Sequence, residues 1–277
     1  KRYFSLQLRF SEVVDALAER VLWVLDSAAS NSLLTPEASA LLRARGTGVS
    51  ATADDATSGR TQGGFSQVSL GEATFNGGLP CGLLQPVEIP LPLASETSGI
   101  EIGLLGLDFL RRFDAIELYL RSSSPLAIVH KLGSDLSLIP NLDNMVEIAC
   151  PPKPPAGLLV AKVRLQDGAV GNGRVEAIID LGATTTLCNR AAAEAAGFSK
   201  WGDSRVRRTD QVVAGATGEP IQVDEADAFV NIAGKKEKGR PVRLSIADLP
   251  IFSQLGLSGA AMILGLDCLA PSMETSS

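Results

Sequence analysis

The stretch WVLDSAAS at 23–30 is matched in kind by the stretch AIIDLGAT at 177–184. Each begins with an apolar run, reaches an aspartate (Asp26 or Asp180), and continues with small residues and a hydroxyl-bearing residue. An apolar run that ends in small turn-forming residues is typical of a buried strand followed by a tight loop. The two stretches therefore predict two similar strand–loop units, each with one aspartate in its loop.

A second pair of motifs follows the first pair in the same order. LLGLDFL at 104–110 is matched by ILGLDCL at 263–269, and 80 and 85 residues separate the loop aspartate from the motif glycine. Alanine-rich stretches that favour short helices, 36–42 and 190–196, lie between the two motifs of each copy. Paired motifs in one order and at similar spacing predict an internally duplicated chain.

The segment CPPKPPAG at 150–157 separates the two copies. Proline at this density removes hydrogen-bond donors from the backbone and is typical of a semi-rigid extended linker. The second copy then restarts with an alternating strand pattern at 158–165, as the first copy does at 3–8. We therefore predict an N-terminal lobe over 1–149 and a C-terminal lobe over 158–277.

Composition narrows the class of protein. Apolar residues make up 45% of the chain and aromatic residues only 5%, so the core must consist of Leu, Val, Ile and Ala. The 27 glycines and 15 prolines fit a turn-rich β fold better than a helical bundle. The net charge of −6 argues against a nucleic-acid partner. No apolar run approaches the length of about 20 residues that spans a bilayer, which predicts no membrane insertion.

The cysteines and the single histidine argue against several kinds of site. Cys81, Cys150, Cys188 and Cys268 form no CxxC pair and have no histidine neighbours, so we predict no metal and no cofactor. The cysteines are interpreted as buried free thiols, with disulfides left open. His130 lies in an apolar strand-like run, which favours a structural role over that of a catalytic base beside serine or cysteine.

At the paired motifs the chain resembles the retropepsin-like aspartic proteases, in a fused two-copy form. The family signature is Asp-Thr/Ser-Gly-Ala-Ser/Thr after two apolar strand residues, and later two apolar residues, Gly, any residue, and Asp or Asn. The run GLDFLRRFDAIEL at 106–118 is especially similar to cellular retropepsin domains. The resemblance implies a mainly β fold of two β-barrel lobes related by pseudo-two-fold symmetry, with a short helix after each Gly-Leu-Asp motif.

The resemblance also implies that Asp26 and Asp180 meet between the lobes as a catalytic dyad. Two carboxyl groups about 3 Å apart share one proton, so that one activates a water while the other polarises a peptide carbonyl. No cofactor is needed for this chemistry, and the implied partner is a peptide or protein substrate. The residues implied to support the dyad are Ser27, Ala28, Ser30, Gly182 and Thr184.

A hairpin flap covers the cleft in this family and excludes water from it. In the second copy the candidate flap tip consists of Gly215, Ala216, Thr217 and Gly218, and in the first copy 51–64 occupies the corresponding place. The aspartates of the Gly-Leu-Asp motifs receive a different interpretation. Following Gly-Leu, each is predicted to N-cap the next short helix and to take no part in catalysis.

Two departures from the family pattern leave the function open between alternatives. Ala28 replaces the family glycine, and Leu181 replaces the threonine or serine whose hydroxyl bonds across to the partner loop. The intact aspartate pair favours an aspartic endopeptidase that hydrolyses extended peptides. Leu181 favours an inactive relative that serves as a structural or binding subunit of a larger assembly. A peptide-binding module without turnover lies between the two.

Composition also bears on the compartment. The first residue is lysine and not methionine, which predicts that an upstream segment has been removed or left out. The alanine-rich composition, with more arginine than lysine, resembles processed organellar proteins of algae or plants. On this association we expect a location in the plastid or another organelle, after removal of an N-terminal targeting segment.

Overall fold

The computed structural model describes residues 4–13, 15–51, 54–55, 59–60, 65–75, 78–90, 100–119, 126–140, 147–167, 173–199, 202–213, 220–232 and 239–269. The strands of the N-terminal half are β1 (Ser5–Leu6), β2 (Leu8–Phe10), β3 (Val21–Leu25), β4 (Leu33–Leu34), β5 (Arg45–Ala51), β6 (Asp54–Asp55), β7 (Gly59–Arg60), β8 (Phe65–Ser69), β9 (Glu72–Phe75), β10 (Leu79–Leu83), β11 (Val87–Glu88), β12 (Glu101–Leu105), β13 (Phe113–Tyr119) and β14 (Leu126–Lys131).

The remaining strands are β15 (Pro152–Lys153), β16 (Leu158–Gln166), β17 (Gly173–Ile179), β18 (Leu187–Cys188), β19 (Arg207–Val213), β20 (Ile221–Asn231), β21 (Arg240–Ile246) and β22 (Ala261–Leu264). The helices are short, and they are α1 (Asp15–Ala18), α2 (Pro36–Leu41), α3 (Leu107–Leu110), α4 (Arg190–Ala196), α5 (Pro250–Gln254) and α6 (Leu266–Leu269). The predicted mainly β class and both alanine-rich helices are confirmed. The helix at each Gly-Leu-Asp motif begins at the leucine of the motif, inside it and not after it.

Strands of the C-terminal half form an eight-stranded sheet in the order β15-β16-β17-β22-β18-β21-β20-β19. An additional pairing of β16 with β20 closes six of these strands, β16-β17-β22-β18-β21-β20, into a barrel. The N-terminal half contains a seven-stranded sheet in the order β1-β3-β12-β4-β11-β8-β5 and a three-stranded sheet in the order β10-β9-β2. Strands β13 and β14 form a separate antiparallel pair. The described residues therefore contain one closed β-barrel, whereas the expectation of two β-barrel lobes related by pseudo-two-fold symmetry stays a prediction.

The central strands of the two large sheets repeat one pairing order. In the N-terminal half, β3 runs parallel to β12, β12 antiparallel to β4, and β4 parallel to β11. In the C-terminal half, β17 runs parallel to β22, β22 antiparallel to β18, and β18 parallel to β21. Each aspartate loop consequently leaves the carboxyl end of an equivalent central strand.

At equivalent core positions of the two halves, the larger side chain lies on opposite strands of the parallel pair. In the N-terminal half Trp23 lies beside Gly103 on the parallel pair β3–β12, and in the C-terminal half Ala177 lies beside Met262 on β17–β22. Trp23 is fully buried, and a Cβ atom at Gly103 would lie 2.5 Å from its ring. A large residue on one strand thus requires a small one on the other, because protein cores are close-packed.

This packing makes Gly103→Ala an informative stability variant. The added methyl group would overlap the buried indole of Trp23, so we expect a loss of about 3 kcal/mol in the free energy of unfolding. Urea denaturation of the variant measures this change. Gly46→Ala is the control, because no atom lies within 4 Å of a Cβ at that position. Equal stability of the two variants would contradict the tight packing described.

The predicted linker contributes to the C-terminal sheet. Pro152–Lys153 pairs antiparallel with Leu158 and Leu159 and forms the edge strand of that sheet. Proline is tolerated on an edge strand because its missing N–H is not needed to bond a further strand. The domain boundaries on either side remain a prediction. Cys150 in this segment is half-buried, in contrast to the buried Cys81, Cys188 and Cys268, and all four thiols are free.

His130 takes part in the β13–β14 pair. Its Nε2 atom lies 2.6 Å from Glu117 Oε1 on the neighbouring strand. This contact gives the histidine a structural partner on the hairpin. Within the described ranges, no helix is long and apolar enough to cross a membrane.

Candidate active site

Equivalent backbone contacts hold the two aspartate loops. The Asp26 N–H donates to the Leu105 carbonyl on β12 at 2.9 Å, and the Asp180 N–H donates to the Leu264 carbonyl on β22 at 3.0 Å. In each half, the aspartate is the first residue after the parallel strand pair ends, and its N–H extends the hydrogen bonding of that pair by one residue. The aspartates are therefore positioned by the central strands and not by flexible loop ends.

Both aspartates are buried, and backbone N–H groups of their own loops point at the carboxyl oxygens. Asp26 is 6% exposed and its Oδ1 accepts from the Ala28 N–H at 2.9 Å. Asp180 is 5% exposed and its Oδ1 accepts from the N–H groups of Gly182 at 2.8 Å and Ala183 at 2.9 Å. Amide donors stabilise the ionised form of a carboxyl group, which offsets part of the cost of burying charge.

The two carboxyl groups meet at Gly182. A Cβ atom on this glycine would lie 2.7 Å from Cγ and 2.8 Å from Oδ2 of Asp26, while its N–H donates to Asp180. Standard backbone dimensions then put the nearest oxygens of Asp26 and Asp180 at most about 8 Å apart. The two aspartates that the sequence analysis selected, 154 positions apart, therefore lie in one site.

Ser27 joins the two loops directly. Its hydroxyl donates to the Ile179 carbonyl at 2.7 Å and accepts from the Leu181 N–H at 3.1 Å. The bonded groups flank Asp180 on either side, so one hydroxyl of the first loop holds the backbone of the second. The role of Ser27 in supporting a catalytic dyad stays a prediction.

The Asp108 carboxylate braces the first loop. Asp108 Oδ1 accepts from Ser32 N at 2.6 Å and from Ser32 Oγ at 2.8 Å, and Ser32 Oγ accepts in turn from the Gly106 N–H at 3.2 Å. Gly106 lies so close to the loop that a Cβ atom there would be 2.5 Å from the backbone of Asn31. The prediction that Asp108 caps α3 is wrong, because Gly106 is the N-cap residue and the carboxylate reaches across to Ser32.

The second loop has the same brace. Thr186 N and Oγ1 donate to the Asp267 carboxylate at 3.0 and 2.6 Å, and the Gly265 N–H donates to Thr186 Oγ1 at 3.2 Å. Asp267 lies inside α6, so the capping interpretation fails here as well. Sequence reasoning missed Ser32 and Thr186. The available signal was a hydroxyl-bearing residue six positions after the aspartate in both copies.

Asp108 predicts a specific dependence of stability on pH. Burial raises the pKa of its carboxyl, and the hydrogen bonds from Ser32 together with the charge of Arg112 oppose this only in part. Because the pKa is raised on folding, the contribution of Asp108 to stability is full below the unfolded pKa and is lost as the pH rises through the folded value.

Asp108→Asn should therefore gain stability relative to the wild type as the pH is raised from 4 to 7. The amide oxygen can still accept both bonds from Ser32, and no charge is buried. Asp108→Leu, which has no acceptor, should lose stability at both pH values. Urea unfolding of the three proteins at both pH values measures these differences. A loss of stability of Asp108→Asn relative to the wild type as the pH rises from 4 to 7 would contradict the raised pKa.

The other predicted supporting residues have different surroundings. Ala28 is fully buried, and Ser30 is half-buried, with its carbonyl accepting from the Asp108 N–H at 3.2 Å. Thr184 is half-buried in the second loop. The candidate flap tip at 215–218 lies outside the described residues.

The other candidate flap, 51–64, is described only in part. Ala51 ends β5, while Asp54–Asp55 and Gly59–Arg60 pair antiparallel as β6 and β7. The backbone of β7 lies against α5, which belongs to the C-terminal half. This segment of the N-terminal half therefore reaches across to the other half.

Matching apolar residues lie beside the two aspartate loops. All are 5% exposed or less, and each set comes from a strand before the loop, a strand after it and the strand of the Gly-Leu-Asp motif. The sets are Val24, Leu33 and Leu104 in the N-terminal half, and Ile178, Leu187 and Ile263 in the C-terminal half. The strands that carry the two aspartate loops are therefore packed with buried aliphatic residues at equivalent positions.

Among the residues that the structure describes, no three histidine, cysteine or acidic side chains group as a metal site would require. The acidic pair is instead held by backbone amides. No protein-family profile matches the chain, and no curated protein gives a significant match. The functional argument consequently depends on the geometry of the site.

Proposed function

We propose that this protein is a retropepsin-like aspartic endopeptidase whose two halves act as lobes related by a pseudo-two-fold axis, with Asp26 and Asp180 as the catalytic pair. The observation that carries the proposal is the position of Gly182, whose Cα faces the Asp26 carboxyl and whose N–H bonds to Asp180. The proposal requires that the two carboxyl groups hold one proton between them, as carboxyl groups in direct contact do.

The shared proton defines the reaction. The ionised carboxylate removes a proton from a water molecule as the water oxygen attacks the peptide carbonyl carbon. The protonated partner donates its proton to the carbonyl oxygen, which gives a neutral tetrahedral diol. Collapse of the diol breaks the C–N bond, and the amine leaves with a proton from the first carboxyl group. The second carboxylate takes a proton from one diol hydroxyl, whose oxygen becomes the carbonyl oxygen of the new carboxylic acid, so the pair again holds one proton.

The proposed substrate is an extended peptide that lies across the aspartate pair. Burial of Asp26 and Asp180 lowers the local dielectric, so that the interactions that develop in the transition state are stronger than in water.

A peptidase assay between pH 3 and 7 tests the proposal. Turnover of an unstructured protein substrate that is inhibited by pepstatin, a mimic of the tetrahedral intermediate, is expected. Absence of turnover over the whole pH range would contradict the proposal.

A second candidate function is a binding subunit without turnover, and one observation favours it. Six of the ten exposed large apolar side chains among the described residues lie between positions 119 and 148 of the sequence. They are Tyr119, Leu126, Ile128, Leu132, Leu138 and Ile148. Exposed apolar surface of this kind marks contact sites for other proteins. An inactive chain that elutes from a sizing column only with a protein partner would support this alternative.

A further inference from the structure

The two aspartate loops differ in the residue that directly follows the aspartate. Ser27 in the first loop corresponds to Leu181 in the second, immediately after the aspartate in each case. The Ser27 hydroxyl donates to the Ile179 carbonyl and accepts from the Leu181 N–H. The backbone on both sides of Asp180 is thus already bonded to the first loop, and the bond at position 181 uses the backbone of Leu181.

The side chain of Leu181 makes a different contact. It is half-buried and packs against the core of the N-terminal half, although Leu181 belongs to the C-terminal half. Ala28 makes the corresponding contact in the opposite direction. It belongs to the N-terminal half but is fully buried in a cluster that consists mainly of residues of the C-terminal half, such as Ile178 and Leu187. Each loop therefore places an apolar side chain among the apolar residues of the other half.

We propose that Leu181 is a positioning residue that anchors the Asp180 loop in the core of the N-terminal half, in place of a second hydroxyl contact. The proposal rests on the peptidase function above and deepens it. The anchor acts through the backbone, because Leu181 directly precedes Gly182, whose N–H bonds to Asp180 and whose Cα faces Asp26. A shift of Leu181 would move both contacts together.

This role reverses the effect expected of a hydroxyl at position 181. Leu181→Thr introduces the residue type of the family signature, yet its hydroxyl would face an apolar core, where an unpaired polar group is costly. Leu181→Val is the matched control, because valine has the shape of threonine with a methyl group in place of the hydroxyl. The comparison of the threonine and valine variants therefore shows the effect of the hydroxyl group at nearly constant side-chain volume.

The test measures kcat, KM and thermal unfolding of the full chain for both variants. We expect Leu181→Val to keep kcat within about 3-fold of the wild type and Leu181→Thr to fall at least about 10-fold below Leu181→Val. KM should change little, because the residue sets the geometry of the dyad and not substrate binding. The melting temperature should follow the same order, with threonine lowest.

A threonine variant that equals or exceeds the valine variant in kcat and melting temperature would overturn the proposal, since the hydroxyl would then be making a useful bond. A rise in KM with an unchanged kcat in Leu181→Thr would overturn the positioning role. An inactive wild type would overturn the proposed function. In that case the order of melting temperatures still decides whether Leu181 anchors the loop.

Discussion

Replacing either aspartate by asparagine should lower kcat by about 10³-fold, because an amide can neither accept the proton of the attacking water nor share one with its partner. The fold should persist in both variants. Asparagine has nearly the shape of aspartate, and its Oδ1 can accept the same backbone N–H groups, from Ala28 for Asp26→Asn and from Gly182 and Ala183 for Asp180→Asn. The measurement is peptidase activity from pH 3 to 7 beside thermal unfolding.

Asp15→Asn is the control for these variants. The Asp15 side chain is 59% exposed on α1 and pairs with Arg9 only at 3.7 Å, so its replacement should leave activity and stability almost unchanged. Activity retained in either dyad variant would contradict a mechanism in which both carboxyl groups take part. Loss of activity together with loss of the folded state would point to a structural role for the aspartates.

Gly182→Ala should lower kcat by about 100-fold or more, since a displacement of about 1 Å in a reacting group can cost that much. The new methyl group would lie 2.7 Å from Asp26 Cγ and 2.8 Å from Oδ2, which is closer than such atoms approach. Asp26 is buried, so its carboxyl group cannot turn into solvent to make room. The two loops must separate instead, which should also lower the melting temperature.

Gly259→Ala is the matched glycine control, because nothing lies within 4 Å of a Cβ atom at that position. Activity and thermal unfolding of the two alanine variants should be measured side by side. Equal kcat values for Gly182→Ala and Gly259→Ala would mean that the contact between Gly182 and Asp26 has no bearing on catalysis.

Local patterns were sufficient to predict the strands and short helices next to the site. The helices predicted at 36–42 and 190–196 occur as Pro36–Leu41 and Arg190–Ala196, because alanine content and capping residues act within a few positions. The same local reasoning failed for Asp108. A capping interpretation considers only the adjacent turn, whereas the carboxylate bonds to Ser32, 76 positions earlier in the chain.

The sequence by itself determined the mainly β class, the duplicated motifs and the choice of Asp26 and Asp180, since apolar periodicity and turn residues depend on neighbours along the chain. The tertiary structure alone decided that Gly182 lies against Asp26, that Ser27 bonds on both sides of Asp180, and that Leu181 packs in the N-terminal core. These contacts join residues about 150 positions apart. They depend on strand pairing and on the direction of each side chain, which only the packed chain specifies.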